Sequence, residues 1–200
     1  MSKAIALTAP LSLDQVRSLA AGDEVRLSGI VVTARDAAHR YLVERDDSDG
    51  MPFDLGDGVI YHCGPIMRRV GARWEAVSAG PTTSDRMEIY EPRVIDRYRV
   101  RAILGKGGMG PATAEALKVS GAVYLAAASG AGALLARKIV SIKRVWKLED
   151  FGEPEAMWEL EVRDFPAIVA MDTRGGNLYA EVERRSAEAL ATLRGKRFGG

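Results

Sequence analysis

Three cationic side chains stand at three separate corners of the sequence: Arg35 in "TARDAAH", Arg86 in "GPTTSDRM" and Lys106 in "GKGGMG". Each corner is predicted to link a strand-like run to a helical pattern, and loops at one end of a sheet can converge on a single ligand. Arginine grips a carboxylate through two parallel hydrogen bonds, so a convergent set of this kind suits a dicarboxylate. Taken singly, each cation would be an ordinary solvated surface group; only the three together point to a ligand.

The third corner raises a rival chemistry. "ILGKGGMGPATAEAL" contains G-x-G-x-x-G after an apolar run and before a helical one, as a dinucleotide site would. That fingerprint needs an acidic residue some 20 positions on to hold the ribose, and "YLAAASGAGALLA" has none there. A Walker A loop fails as well, because Gly107 stands where Ser or Thr should follow the lysine. Two readings remain. Backbone amides, a helix start and Lys106 could hold a small anion such as a carboxylate, or the glycines form a plain turn with the lysine in solvent.

Other residue types bound the chemistry further. The only cysteine in the sequence, Cys63, reads as a small buried hydrophobe near a strand end, against the alternative of a nucleophile or ligand. With only His39 and His62 beside it, a closed zinc site has few donors. At 200 residues, 47% hydrophobic, 28% charged and net charge +1, the chain reads as one ordered domain spanning 1–200. Nothing in this balance calls for nucleic acid. The start lacks a signal-peptide pattern, and no apolar run nears the roughly 20 residues that cross a bilayer, so a cytoplasmic protein without membrane partners is expected.

The elements that must position the three corners follow from periodicity. "AIALT" predicts a strand, and Ser12 with Gln15 predicts a capping box, stapled by Leu11 and Val16. "EVRLSGIVVTA" reads as a strand entering the helix of "RDAAHRYLVERD", with Asp36 as its cap. "GVIYHCG" and "RWEAVSAG" read as strands, the second running through Pro81 and Thr82 into a helix. A further strand meets Pro111 at the first turn of a helix, and "GAVYLAAA" follows as a buried strand. Small residues blur "SGAGALLARKIVSIKRVWKLEDFGEP", whereas "AMWELEVRDFPAIVAMD" is strand-like and "YAEVERRSAEALATLRGK" is an amphipathic helix. Alternation followed by a more β-rich remainder predicts a layered α/β domain.

Together "TARDAAHR", "PFDLGDGVIYHCGP", "AGPTTSDRM", "ILGKGGMG", "AVYLAA" and "FGEPEAMWELEVRDFPAIVAMD" resemble the β subunit of the class I fumarate hydratase and L-tartrate dehydratase family, iron-sulfur hydro-lyases. The resemblance covers nearly the whole chain and departs at Gly176 and Asn177, where the family more usually has Asn then Ser after a single glycine. It implies a single three-layer swivelling β/β/α domain. It also implies a [4Fe-4S] cluster held by three cysteines of a partner α subunit and not by this chain, within a higher-order hetero-oligomer. Carried over to these positions, Arg35, Arg86 and Lys106 hold the substrate carboxylates, and Thr82 is the base for the carbon-bound proton of malate. From local sequence Thr82 reads equally as a helix cap or turn residue. Asp36 and His39 either orient Arg35 or are structural. Malate to fumarate is the expected reaction and tartrate to oxaloacetate its alternative. A non-catalytic dicarboxylate-binding module is the alternative of another class.

Overall fold

The computed structural model describes residues 4–45 and 50–197, with side chains described to residue 194. Residues 1–3, at the start of the segment examined for a signal peptide, and Asp46, the end of the helical pattern from Arg35, lie outside the described residues. In chain order the elements are β1 (Ile5–Ala9), α1 (Leu13–Ser18), β2 (Glu24–Thr33), α2 (Asp36–Glu44), β3 (Val59–Tyr61), β4 (Ile66–Val70) and β5 (Arg73–Ser78). A short 3-10 helix (Ser84–Met87) precedes α3 (Glu91–Tyr98), β6 (Ala102–Gly105), α4 (Pro111–Ser120), β7 (Val123–Ala126) and α5 (Gly132–Ala136). The chain ends with β8 (Ile139–Trp146), α6 (Leu148–Phe151), β9 (Met157–Met171) and α7 (Leu178–Arg197).

Local chemistry sets several of these boundaries. The Ser12 hydroxyl accepts from the Gln15 amide, and the Gln15 side chain accepts from the Ser12 amide, completing the capping box of α1. Pro111 takes the first position of α4, where its missing N–H costs nothing. Asn177 starts α7 by accepting from the Tyr179 and Ala180 amides. Just before it, Asp172 accepts from the amides of Ala21, Arg174 and Gly176, and a Cβ at 176 would fall 2.4 Å from its Oδ2. The unusual pair Gly176 and Asn177 thus has a local physical reason.

The strands form a seven-stranded sheet ordered β1-β2-β3-β6-β7-β9-β8, and β9 also pairs with β2. β1, β2, β3, β6 and β7 run parallel, while β9 is antiparallel to β2, β7 and β8. Since β2 and β7 are separated by β3 and β6, pairing with both folds β9 back over the parallel strands. Side-chain alternation then makes two cores. Val59 and Tyr61, Ala102 and Leu104, Val123 and Leu125 face the antiparallel strands, meeting Trp158, Leu160 and Phe165. Ile60, Ile103 and Tyr124 point the other way, to Ala38 and Leu42 of α2, Val94 and Ile95 of α3, and Leu117 of α4. The fold is α/β, layered β/β/α.

Three expectations change. The strand "RWEAVSAG" does not join the main sheet: β5 pairs only with β4 in a separate hairpin, so Thr82 does not follow a strand of the parallel layer. Between Thr82 and α3 the chain makes the 3-10 helix first. Asp36 is the first residue of α2, not its cap; Arg35 is the cap residue, and the Ala37 amide is met by Glu155 at 3.0 Å.

Candidate functional site

The three corners meet at the C-terminal ends of the parallel strands, where open α/β sheets bind ligands. Arg35 follows β2, and Lys106 follows β6. The segment carrying Thr82 is threaded between them by backbone pairing. Pro81 bridges Cys63 just past β3, and Thr83 bridges Lys106. The Thr82 amide donates to the His62 carbonyl at 2.7 Å, and the Ser84 amide donates to the Lys106 carbonyl at 2.9 Å.

Of the four residues expected at the site, Arg35 and Arg86 are brought together by their side chains. Arg86 forks onto Asp36, with Nε 3.1 Å from Oδ1 and Nη2 2.6 Å from Oδ2. Arg35 Nη2 lies 3.8 Å from that same Oδ2 and 3.1 Å from Glu155 Oε1. Its Nε is buried without a hydrogen-bond partner, and its guanidinium packs over Gly64, where a Cβ would fall 2.5 Å from Nη1. Arg86 is half exposed, on the wall of an open depression of about 320 Å³ shared with Asp36, Arg40, Tyr90 and Glu155. Lys106 and Thr82 are partly buried and join this group through the backbone. Lys106 makes no ion pair among the described residues.

The glycine loop resolves differently from either expectation. Gly107 and Gly108 adopt φ of +83° and +79°, a left-handed geometry that glycine tolerates best, and Gly108 lies under the Tyr179 ring of α7. The start of α4 does hold an anion, and it is the chain's own. Glu88 accepts from the amides of Gly110, Ala112 and Thr113 at 2.8, 3.0 and 3.1 Å and from the Thr113 hydroxyl at 2.6 Å. Glu88 thereby takes the amides of Gly110, Ala112 and Thr113 at the start of α4, and Lys106 is the cation that the loop carries.

Beneath the corners lies a polar cluster of which sequence reasoning singled out only His39, as a group that either orients Arg35 or is structural. His39 of α2 and His62, just past β3, place their Nε2 atoms 3.0 and 2.8 Å from Oε2 of Glu91, the first residue of α3; all three side chains are fully buried. His39 Nδ1 lies 2.8 Å from the Arg35 carbonyl, which can only accept, so Nδ1 carries a proton, and the ionised Glu91 carboxylate at Nε2 favours a second one there. His62 Nδ1 is 2.9 Å from the Ser84 hydroxyl, which accepts from Tyr124 at 2.8 Å. Gly105 is required there, since a Cβ would fall 2.0 Å from Ser84 Oγ.

Burial pulls His39 down, but the Glu91 charge, its hydrogen bond and the Arg35 carbonyl outweigh this and hold it above its ordinary value. For His62 burial prevails over the Glu91 attraction and keeps the ring neutral. Burial works against ionised Glu91, yet the two imidazoles bring its carboxyl to about 2. One signal was available in the sequence: Glu91 shares the buried stripe of α3 with Val94 and Ile95, an acid on an apolar face.

His39, His62 and Glu91 are also the described His, Cys, Asp and Glu donors that converge as metal ligands could. In this structure their contacts of 2.8 and 3.0 Å to one shared carboxylate oxygen are hydrogen-bond spacings. A [4Fe-4S] cluster does not fit this chain either. It takes cysteine thiolates, and Cys63 is alone, fully buried, with burial pushing its thiol up to about 12. Among the described residues no helix is long and apolar enough to cross a membrane.

Comparison with known proteins gives the family. The profile of the family described as "Fumarase C-terminus" matches residues 1–182. A protein of Geobacillus stearothermophilus named as a class I fumarate hydratase is 45% identical over 193 residues, 96% of this chain but only 37% of that protein. A protein of Methanocaldococcus jannaschii named as an L(+)-tartrate dehydratase subunit beta is 44% identical over 187 residues, covering 92% of this chain and 96% of the relative. The L(+)-tartrate dehydratase subunit beta of Escherichia coli is 40% identical over 183 residues, covering 91% and 90%.

Proposed function

The chain belongs to the family described as Fumarase C-terminus, and on that premise we propose that it is the β subunit of a cytoplasmic hydro-lyase that reversibly dehydrates malate to fumarate. Its partner is an α subunit, and the two assemble into a higher-order hetero-oligomer. The [4Fe-4S] cluster belongs to the α subunit, consistent with a donor set that this chain lacks.

The observation that carries the reading is the convergence of two guanidinium groups, from separate corners, on one carboxylate oxygen, Asp36 Oδ2. The fork of Arg86 on Asp36, with Arg35 3.8 Å from the same oxygen, supports a carboxylate as the ligand of this pair. Arg86 uses Nε and Nη2 on Asp36 and keeps Nη1 for a second acceptor; Lys106 adds a cation on the neighbouring corner. In our reading these three groups hold the two carboxylates of the substrate and balance the charge that builds up as a proton leaves the adjacent carbon. Thr82 takes that proton while passing its own hydroxyl proton on. The partner subunit's cluster, when bound, would supply the Lewis acid that receives the hydroxyl leaving the neighbouring carbon. An alcohol is a weak base, so its placement matters more than its intrinsic strength, and its backbone is pinned to His62 on one side while Thr83 is bridged to Lys106 on the other.

Tartrate is the second reading, favoured by one finding: the relatives matched over nearly their whole length carry the tartrate dehydratase name, whereas the fumarate hydratase relative is much longer than this chain. The two substrates differ by one hydroxyl, and contacts that separate them could come from either subunit. Anaerobic co-expression with the cognate α-type subunit, with parallel assays of fumarate from malate and oxaloacetate from tartrate, tests both. Preference for malate is expected. Preference for tartrate would change the substrate and keep the mechanism, while turnover of neither would sink the proposal.

A further inference from the structure

The buried cluster touches the backbone of every element that carries a proposed site residue. Glu91 Oε2 accepts from His39, and His39 donates on to the carbonyl of Arg35 itself. The same oxygen accepts from His62, whose other nitrogen accepts from Ser84, two residues from Thr82 and two from Arg86. The His62 carbonyl holds the Thr82 amide, and the Ser84 amide holds Lys106. The joints at Glu91 and His39 are hydrogen bonds to buried charged groups, stronger than neutral ones, and the arm through His62 and Ser84 extends them with neutral hydrogen bonds. A buried ion cluster that served stability alone could be replaced by apolar residues without loss. This one has its hydrogen bonds directed at the two corners.

We propose that Glu91 is a positioning residue for the reaction: through His39 it fixes the backbone of Arg35, and through His62 and Ser84 it fixes the turn that bears Thr82 and Arg86. The proposal rests on the roles given above to Arg35, Arg86 and Thr82. Hydrogen-bond direction is set along the whole path. Tyr124 donates to Ser84, Ser84 to neutral His62, and His62 to Glu91, while His39 donates to Glu91 and to Arg35. The charges around His39 are Glu91 from α3 and Asp36 from α2, with Tyr124 of β7 at the far end.

Two variants separate positioning from mere stability. Ser84→Ala cuts the arm to Thr82 and leaves Glu91 and His39 in place; Glu91→Gln keeps the shape and removes the charge. In the complex with the α subunit, assayed well below its melting temperature, Ser84→Ala is expected to lower kcat at least about tenfold with KM within about threefold. The melting temperature drops because His62 Nδ1 and the Tyr124 hydroxyl lose their partner. Unaltered kcat in a folded Ser84→Ala complex overturns the proposal. A second arm reads the full chain by nitrogen NMR, where the only two histidines of the sequence make assignment direct. His39 is expected as an imidazolium and His62 as a neutral ring at pH 7.5. Glu91→Gln should then shift the amides of Arg35 and of Thr82 to Arg86 together; if they stay in place, Glu91 positions neither corner. A wild-type complex that turns over neither dicarboxylate would refute the proposed reaction, and the NMR arm would still decide the inference.

Discussion

Two helix starts in this molecule each follow a corner that bears a cation, and they do different work. At α4 a glycine loop, a proline and a lysine resemble an anion cradle, and Glu88 fills it with four hydrogen bonds. At α2 there is no glycine motif, only Arg35 and Asp36 in "TARDAAH", yet this is where two arginines converge and the surface stays open. The closed start is structural: it ties the segment after the 3-10 helix to the loop bearing Lys106. The open one leaves the edge of the Arg86 guanidinium exposed. A glycine-rich motif marks where backbone can approach closely, and only the inventory of donors already in use says whether a ligand is what approaches.

The contrast can be broken by mutation, and the open site should show the largest effect. Arg86→Ala is expected to reduce kcat/KM of the complex by about a hundredfold or more, since it removes a cation facing developing charge, with little change in melting temperature. Steady-state kinetics check this. Glu88→Ala should do the reverse in kind, costing about 2–3 kcal/mol of stability in denaturant titrations because three amides and a hydroxyl lose their acceptor. If Glu88→Ala instead created a tight phosphate site without loss of stability, the start of α4 would be a binding site after all.

Acid should expose the buried cluster beneath the corners. The fold holds the Glu91 carboxyl at about 2, below its ordinary 4.5, so its contribution is present above 4.5 and lost as pH falls toward 2. His62 is held below 6.5, so its contribution is also lost on acidification, below that value. His39 is held above 6.5 and opposes them, contributing at low pH and losing that contribution as pH rises through its raised value. Melting temperature should therefore fall on the acid side, most steeply below pH 4.5, and Glu91→Gln should flatten the fall below 4.5. The smallest effect belongs to a helix start with no role in the site: Ser12→Ala breaks the capping box of α1 and should cost about 1 kcal/mol with no change in kinetics.

What could be read in the sequence follows the range of the forces. The capping box of α1, Pro111 at the head of α4 and the alternation of β2 and β9 are local, and each was legible. β4 and β8 were not. In β4 only Met67 is buried, and β8 is half exposed without regular alternation, so neither shows the period-two pattern of a strand covered on one face. Arg35, Arg86 and Lys106 could be singled out because cations at corners are visible one by one. Glu88, Glu91 and His62 act on partners distant in sequence, and the pairing of Pro81 with Cys63, which brings Thr82 to the site, depends on a hairpin lying outside the main sheet. Non-local pairing leaves no periodic trace.

The central claim, that this chain supplies half of a site completed by another subunit, is tested most directly by complementation. Separately purified chain and α-type subunit, the latter with its cluster intact, are assayed anaerobically for malate dehydration alone and after mixing. The account predicts that neither is active alone, that mixing restores turnover, and that the Arg86→Ala chain fails to restore it. Turnover by the α subunit without this chain, or full restoration by Arg86→Ala, would contradict it.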